Sequence, residues 1–161
     1  MTIESIGSRR RIVRTYPTSL QRAWELWTTP EGIAMWWGPE GFHVEVHRMD
    51  LVPGGELEYS MITDDEGIKA YLAAQGMPAV SRVTIRYTEI VPLRRLAYLN
   101  VVDFVPDVER YEVATTVELE PTTDGVRLTL TLDAMHDDAW TERAAAGWVS
   151  ELGKLEKLLE A

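Results

Sequence analysis

The sequence predicts an α+β fold, a curved antiparallel sheet of about seven strands around a long C-terminal helix, with two short helices near the N-terminus. Three observations predict it. Between Phe42 and Leu132, successive segments alternate apolar and polar residues with a period of two, mostly separated by short turns. After Asp137 the apolar spacing becomes helical and stays so to the end. Before the alternating region, two brief stretches with one apolar face carry helix start signals.

Arg10 to Tyr16 is the first strand, ended by Pro17. Arg9, Arg10 and Arg11 form the chain's basic cluster, expected on a solvated strand edge. In "TSLQRAWELWT", Thr18 and Gln21 make a capping-box pattern, and Leu20, Ala23, Trp24 and Trp27 fall on one helical face. Thr29-Pro30 opens the second helix, with proline at its first position. Ile33 reaches Trp36 and Trp37, and Gly38-Pro39 closes the turn. The two indoles are expected to serve the core first, one on Ile33 and the sheet, the other lining the edge of the interior.

The meander follows. Phe42, Val44 and Val46 alternate with His43, Glu45 and His47, and after the turn at "VPGG" Leu57, Tyr59 and Met61 continue the pattern. Val83, Ile85 and Tyr87 form the next strand, "RRLAYLNVV" another, and Tyr111 to Leu119 a fifth. Val126, Leu128, Leu130 and Leu132 make the last. The closing helix is capped by Asp137 or Asp138. Its stripe of Trp140, Ala144, Trp148, Leu152, Leu155 and Leu159 runs for roughly 34 Å. A sheet with one apolar face needs such a cover.

The stretch "DDEGIKAYLAAQGMP" is too long for a hairpin turn. Ile68, Tyr71, Leu72 and Gln75 share a helical face, and Gly76 with Pro78 signals a stop. Residues 64–79 are thus either a short amphipathic helix or a solvated excursion. As a helix the insertion is expected to form a lid over the mouth of the interior, near Trp36 or Trp37; the alternative is a surface helix serving a homodimer contact.

The chain of 161 residues reads as one domain over residues 1–161, with its core in 10–159. Its net charge of −10 and pI near 4.8 repel phosphate and anionic lipid, arguing against nucleic-acid or membrane partners. Cysteine is absent, which removes disulfides, thiolate nucleophiles and sulfur-rich metal sites. The N-terminal stretch lacks the apolar core of a signal peptide, so a cytoplasmic location is expected.

Catalytic signals are weak. His43, Glu45 and His47 spell H-x-E-x-H, but on a strand the two histidines stand about 13 Å apart on a wet face, so no metal site is expected. His136 reads as a local hydrogen-bonding residue. Neither G-x-x-x-x-G-K-[ST] nor G-x-S-x-G occurs, and the carboxylates at 64–66 and around Pro106 read as solvated turns. No cofactor is expected and no catalytic set is recognisable, so a non-enzyme is favoured. What remains is aromatic. Tyr59, Tyr87, Tyr98 and Tyr111 come from different strands, facing Trp140 and Trp148 on the helix. With Trp36, Trp37, Leu57, Met61 and Tyr71 they are the candidate lining of a ligand site, though any one could be plain core.

The stretches "AWELWTTPEGIAMWWGPEGF", "MDLVPGGELEYSM", "TEIVPLRRLAY" and "GWVSELGKLEKLL" resemble successive signatures of one group. That group is the homologues of the activator of the ninety-kilodalton heat-shock-protein ATPase, in the START-like, or SRPBCC, superfamily. The resemblance runs from about Arg10 to Leu159, and residues 64–80 depart from it as a longer connection. It implies the helix-grip fold and a cavity between sheet and helix, which relatives use for lipids, hormones or polyketides. The function expected is therefore binding of a small apolar or aromatic ligand. The alternatives are a polyketide-cyclase-like enzyme and a chaperone-interacting module, the latter with a place in the stress response.

Overall fold

The chain lays down most of its sheet in the order in which the strands occur. A computed structural model describes residues 3–160. It contains β1 (Ile3–Ile6), β2 (Arg9–Tyr16), α1 (Leu20–Thr28), α2 (Pro30–Trp36), β3 (Phe42–Met49) and β4 (Glu56–Thr63). There follow α3 (Glu66–Ala74), β5 (Val80–Val91), β6 (Arg95–Val102), β7 (Tyr111–Pro121), β8 (Val126–Leu132) and α4 (Asp138–Glu160). The strands form one antiparallel sheet in the order β1-β2-β8-β7-β6-β5-β4-β3. The meander from β3 to β8 is as expected, and β2 returns to pair with β8, Ile12 opposite Leu130.

Two expectations are corrected. The sheet has eight strands rather than about seven, because Ile3–Ile6 pairs with β2 through a two-residue turn at Gly7-Ser8. Gly7 has a φ of 62°, the left-handed conformation that such tight turns need. The arginine cluster is consequently not on a strand edge, since β1 lies outside it. Its charges are paired: Arg11 with Glu4 at 2.5 Å, Arg10 with Glu142 at 2.7 Å and Arg9 with Asp133 at 3.1 Å.

Side-chain caps set the helix starts. α1 is capped by Ser19, one residue later than the capping-box pattern suggests, its Oγ accepting the Arg22 N–H at 3.0 Å. Thr29 caps α2 through the Gly32 N–H, and Pro30 follows at the first helical position. Asp137 Oδ1 accepts the Trp140 N–H at the start of α4. Residues 64–79 take the helical alternative: Asp65 caps α3 through the Ile68 N–H, Leu72 is buried, and Tyr71 stands 63% exposed. Ile68 packs on Gly41, where a β-carbon would lie 2.3 Å from its Cδ1.

The core lies between the inner face of the sheet and the helices. From the strands it takes Ile12, Leu57, Ile85, Leu96, Leu128 and Leu130, and from α4 Ala145, Leu152 and Leu155. The α1–α2 corner adds Trp27, Trp36 and Trp37, all nearly inaccessible. Trp27 stacks on Trp148 at 5.4 Å between centroids and meets Trp36 edge-on at 4.8 Å. Trp36 Nε1 donates to the Leu26 carbonyl, fixing α2 against α1.

Candidate functional site

The turn after Trp36-Trp37 bends through two glycines with positive φ, 88° at Gly38 and 91° at Gly41. Such a turn frees backbone groups from both helix and strand, and they need other partners. α4 supplies them from one face. Ser150 Oγ accepts the Glu40 N–H at 2.9 Å, and Glu151 Oε1 accepts the Gly38 N–H at 2.6 Å. Lys154 Nζ donates to the carbonyls of Gly38 at 2.9 Å and Phe42 at 3.0 Å. The Trp-Trp-Gly-Pro element is therefore the seat of the long helix, and its indoles fill the corner behind that seat.

On the N-terminal side of this seat α4 and the sheet separate. They leave a recess of about 280 Å³. Tyr59 and Met61 of β4, Val83 of β5 and Val102 of β6 line the sheet side, while Gly147, Trp148 and Glu151 line the helix side. Asn100, Thr115 and Asp133 are its other polar residues, and no lining residue is basic. Gly147 faces open space: a β-carbon built there would meet no atom within 4 Å. Asn100 Nδ2 donates to Thr115 Oγ1 at 2.8 Å, so its amide is oriented from behind.

Burial dominates the electrostatics. Desolvation raises the Glu151 carboxyl from 4.5 to about 7, against the Gly38 N–H and the nearby Lys154 ammonium, which favour the charged form. Only Oε1 is engaged, and no basic side chain makes an ion pair with Glu151 among the described residues. Burial likewise pushes the Tyr59 hydroxyl well above its ordinary range, helped by Glu151. Tyr98 is raised by burial and then by Tyr59 and Glu151; its hydroxyl reaches towards Thr115 without a hydrogen bond of good geometry. Burial lowers the Lys154 ammonium, opposed by Glu151.

The residues singled out from the sequence separate into four groups. Tyr59, Met61 and Trp148 line the recess. Trp36, Trp37, Leu57, Tyr87 and Tyr98 form the core behind it, with Trp37 edge-on to Tyr59 at 5.5 Å. Tyr111 and Trp140 gather at one side with His136 and Phe104. The Tyr111 hydroxyl is 2.7 Å from His136 Nδ1, and Trp140 lies 5.7 Å from Phe104, which also lines the recess. Tyr71 points into solvent, and no α3 residue lines the recess. Sequence reasoning missed Glu151, Asn100 and Thr115. The signal for Glu151 was present: it falls three residues after Trp148 and next to Leu152, a carboxylate on the apolar stripe.

The other sites carry less. A second recess, about 340 Å³, opens among outward-facing Glu58, Arg82, Arg86 and Glu112, whose charges pair, Arg86 with Glu112 at 3.0 Å. His47 Nε2 is 2.6 Å from Ser60 Oγ, and His43 faces Asp64 at 3.9 Å, so the two strand histidines have separate partners. Among the described residues no helix is long and apolar enough to cross a membrane.

Comparison with known proteins bears on this geometry. The model of a family described as Activator of Hsp90 ATPase homolog 1-like protein matches residues 17–160. No curated protein matches the chain. A crystal structure of a Chromobacterium violaceum protein is 24% identical, with a TM-score of 0.77 over 97% of this chain and 99% of that one. An AHSA1 protein from Silicibacter pomeroyi is 23% identical, TM-score 0.75, covering 94% and 97%. The solution structure of an AHSA1-like protein from Aeromonas hydrophila is 22% identical, TM-score 0.71, covering 94% and 92%. At these identities the structures establish the fold, the START-like helix-grip arrangement.

Proposed function

The chain belongs to the Activator of Hsp90 ATPase homolog 1-like family, and from that premise we propose that it binds a small molecule with an apolar or aromatic body. One observation carries the reading: α4 and the sheet part around a recess with apolar walls and a few convergent polar groups, the usual composition of a small-molecule site. Gly147 supports it. Glycine within a helix costs about 1 kcal/mol relative to alanine, and no packing contact at this position requires it. In this reading Tyr59, Met61 and Trp148 form the walls, with Glu151 and Asn100 as polar anchors. Trp36, Trp37, Leu57, Tyr87 and Tyr98 stiffen the walls from behind, and Tyr111 and Trp140 stand at the rim.

The test is fluorescence titration with the neutral probe N-phenyl-1-naphthylamine, in the wild type and in Gly147→Leu, whose side chain would fill the recess. Saturable enhancement in the wild type, lost in a variant that keeps its circular dichroism and melting behaviour, is the expected outcome. Equal binding by both would place the probe elsewhere and remove the recess from the proposal.

A second reading has its own support in Glu151. A carboxyl titrating near neutrality inside an apolar recess suits proton transfer to or from a bound carbonyl compound, the chemistry of a polyketide-cyclase-like enzyme. Turnover of an enolisable substrate that Glu151→Gln abolishes while binding persists would favour it. The family's description brings a third, action on a chaperone ATPase. A change in Hsp90 ATPase rate on adding the purified chain is its measurement.

A further inference from the structure

Glu151 is a lining carboxyl whose hydrogen-bonding capacity the fold leaves half used. Its Oε1 holds the Gly38 N–H, while Oε2 has no hydrogen-bond partner among the described residues. The nearest basic group in its electrostatic surroundings, Lys154, is committed to three backbone carbonyls of the turn and does not line the recess. Of the other polar liners, Tyr59 and Thr115 bring neutral hydroxyls that can donate or accept, and the rest add acceptors. Asn100 spends its amide N–H on Thr115 and Val113, leaving its oxygen, and Asp133 is a second carboxylate, paired at the rim with Arg9. No lysine, arginine or histidine lines the space. Two aromatic residues, Tyr59 on the sheet and Trp148 on the helix, stand on opposite walls, and Trp148 shares Glu151's side of α4.

A partly buried carboxylate with an unfilled oxygen, oxygen acceptors around it and an aromatic residue on either wall is the complement of an ammonium group on an apolar body. The ammonium would give Glu151 the ion pair that the chain withholds, and the aromatic faces would add cation–π attraction. An anionic ligand would meet two carboxylates and no cation. The protein's net charge of −10 acts in the same direction, drawing cations towards it. Resting on the binding reading above, we infer that the recess takes a small aromatic or aliphatic amine, its ammonium at Glu151 Oε2 and its apolar body against Met61, Val83 and Val102. The raised carboxyl agrees with this: a site that loses its cation on ligand release should hold its acid near neutrality, and the bound amine should return it to the charged form.

The experiment compares three probes that share one ring and differ in charge: tryptamine, tryptophol and indole-3-acetate. Calorimetric titration of the full chain at pH 7.5 is expected to rank tryptamine at least tenfold above tryptophol, with indole-3-acetate weakest. Glu151→Gln should bring tryptamine down to the tryptophol value, because the amide oxygen still accepts from Gly38 while the charge is gone. Gly147→Leu, which leaves Glu151 untouched, should abolish binding of all three, and it serves as the control should Glu151→Gln melt early. Equal affinity for tryptamine and tryptophol, or a preference that survives Glu151→Gln, overturns the amine assignment and leaves the binding reading standing. If the wild type binds none of the three at millimolar concentration and also fails to bind N-phenyl-1-naphthylamine, both fall together.

Discussion

At position 151 a helix face that periodicity assigns to the core carries a carboxyl group, and the consequences can be read in solution. Burial raises this acid to about 7 from an ordinary 4.5, so between those values the folded chain holds a proton that the unfolded chain has released. Stability must then fall as pH rises through that window and level off, for this group, above about 7. Glu151→Gln removes the titration and keeps the hydrogen bond. The difference in melting temperature between variant and wild type should therefore widen from pH 5 to pH 8; a constant difference would mean that the carboxyl is not held in the neutral form. Trp148 gives a second residue-scale expectation. It stacks on Trp27 but lines the recess and is only partly buried, so Trp148→Ala should cost about 2–3 kcal/mol, below the loss for a fully buried tryptophan. A loss under about 1 kcal/mol in denaturant melts would contradict the stack. The aromatic interior was legible at Tyr59, Tyr87, Tyr98 and Trp148, since large apolar groups on alternating positions face inward, but not at Tyr111 and Trp140, which continue the same patterns to the side where His136 and Phe104 gather. Which of them touch empty space was not legible, because that depends on how far α4 stands from the sheet, a distance set by its seat on the Gly38 turn.

Elements were read well where periodicity was long and poorly where it was short. α4 and the β3 to β8 meander each repeat one pattern over many residues, whereas β1 has four residues and a single turn to announce it. Its polar, exposed pattern left too little apolar signal. α3 shows the opposite difficulty: the spacing of Ile68, Tyr71 and Leu72 and the stop at Gly76 and Pro78 allowed a helix beside a solvated excursion, while its cap at Asp65 was not read and its docking on Gly41 depends on a glycine far from it in sequence. Two glycine substitutions separate the roles of the elements. Gly147→Ala should stabilise α4 by about 0.5–1 kcal/mol, since the position is helical and its surroundings are open. Gly41→Ala should destabilise by about 1–2 kcal/mol, through the positive φ of 91° and displacement of Ile68. Chemical denaturation of both variants checks the pair. If Gly147→Ala destabilises the chain, the recess is occupied by packing rather than open.

For the whole molecule, the order of strands along the chain translated directly into neighbours in space, because short turns leave little choice but antiparallel pairing. The one long-range pairing, β2 with β8, could not be deduced that way, since no turn joins the two strands and nothing in either segment names its partner. That pairing joins residues about 110 to 122 positions apart, while every other neighbouring pair in the sheet is linked by a short connection or by α3. Such a seam has a kinetic meaning. Closing it requires the whole meander and α1–α2 to be brought round first, so its entropy must be met before its contacts are formed. β2 should thus join after the rate-limiting barrier. Ile12→Val, at the centre of β2, should mainly accelerate unfolding, whereas Val117→Ala, inside the meander on β7, should slow refolding. Stopped-flow measurements in which Ile12→Val slows refolding as much as Val117→Ala would put the seam in the nucleus instead. Until it closes, the edge of β8 lies bare, and a molecule arrested at that point would offer it to the β2 strand of another copy.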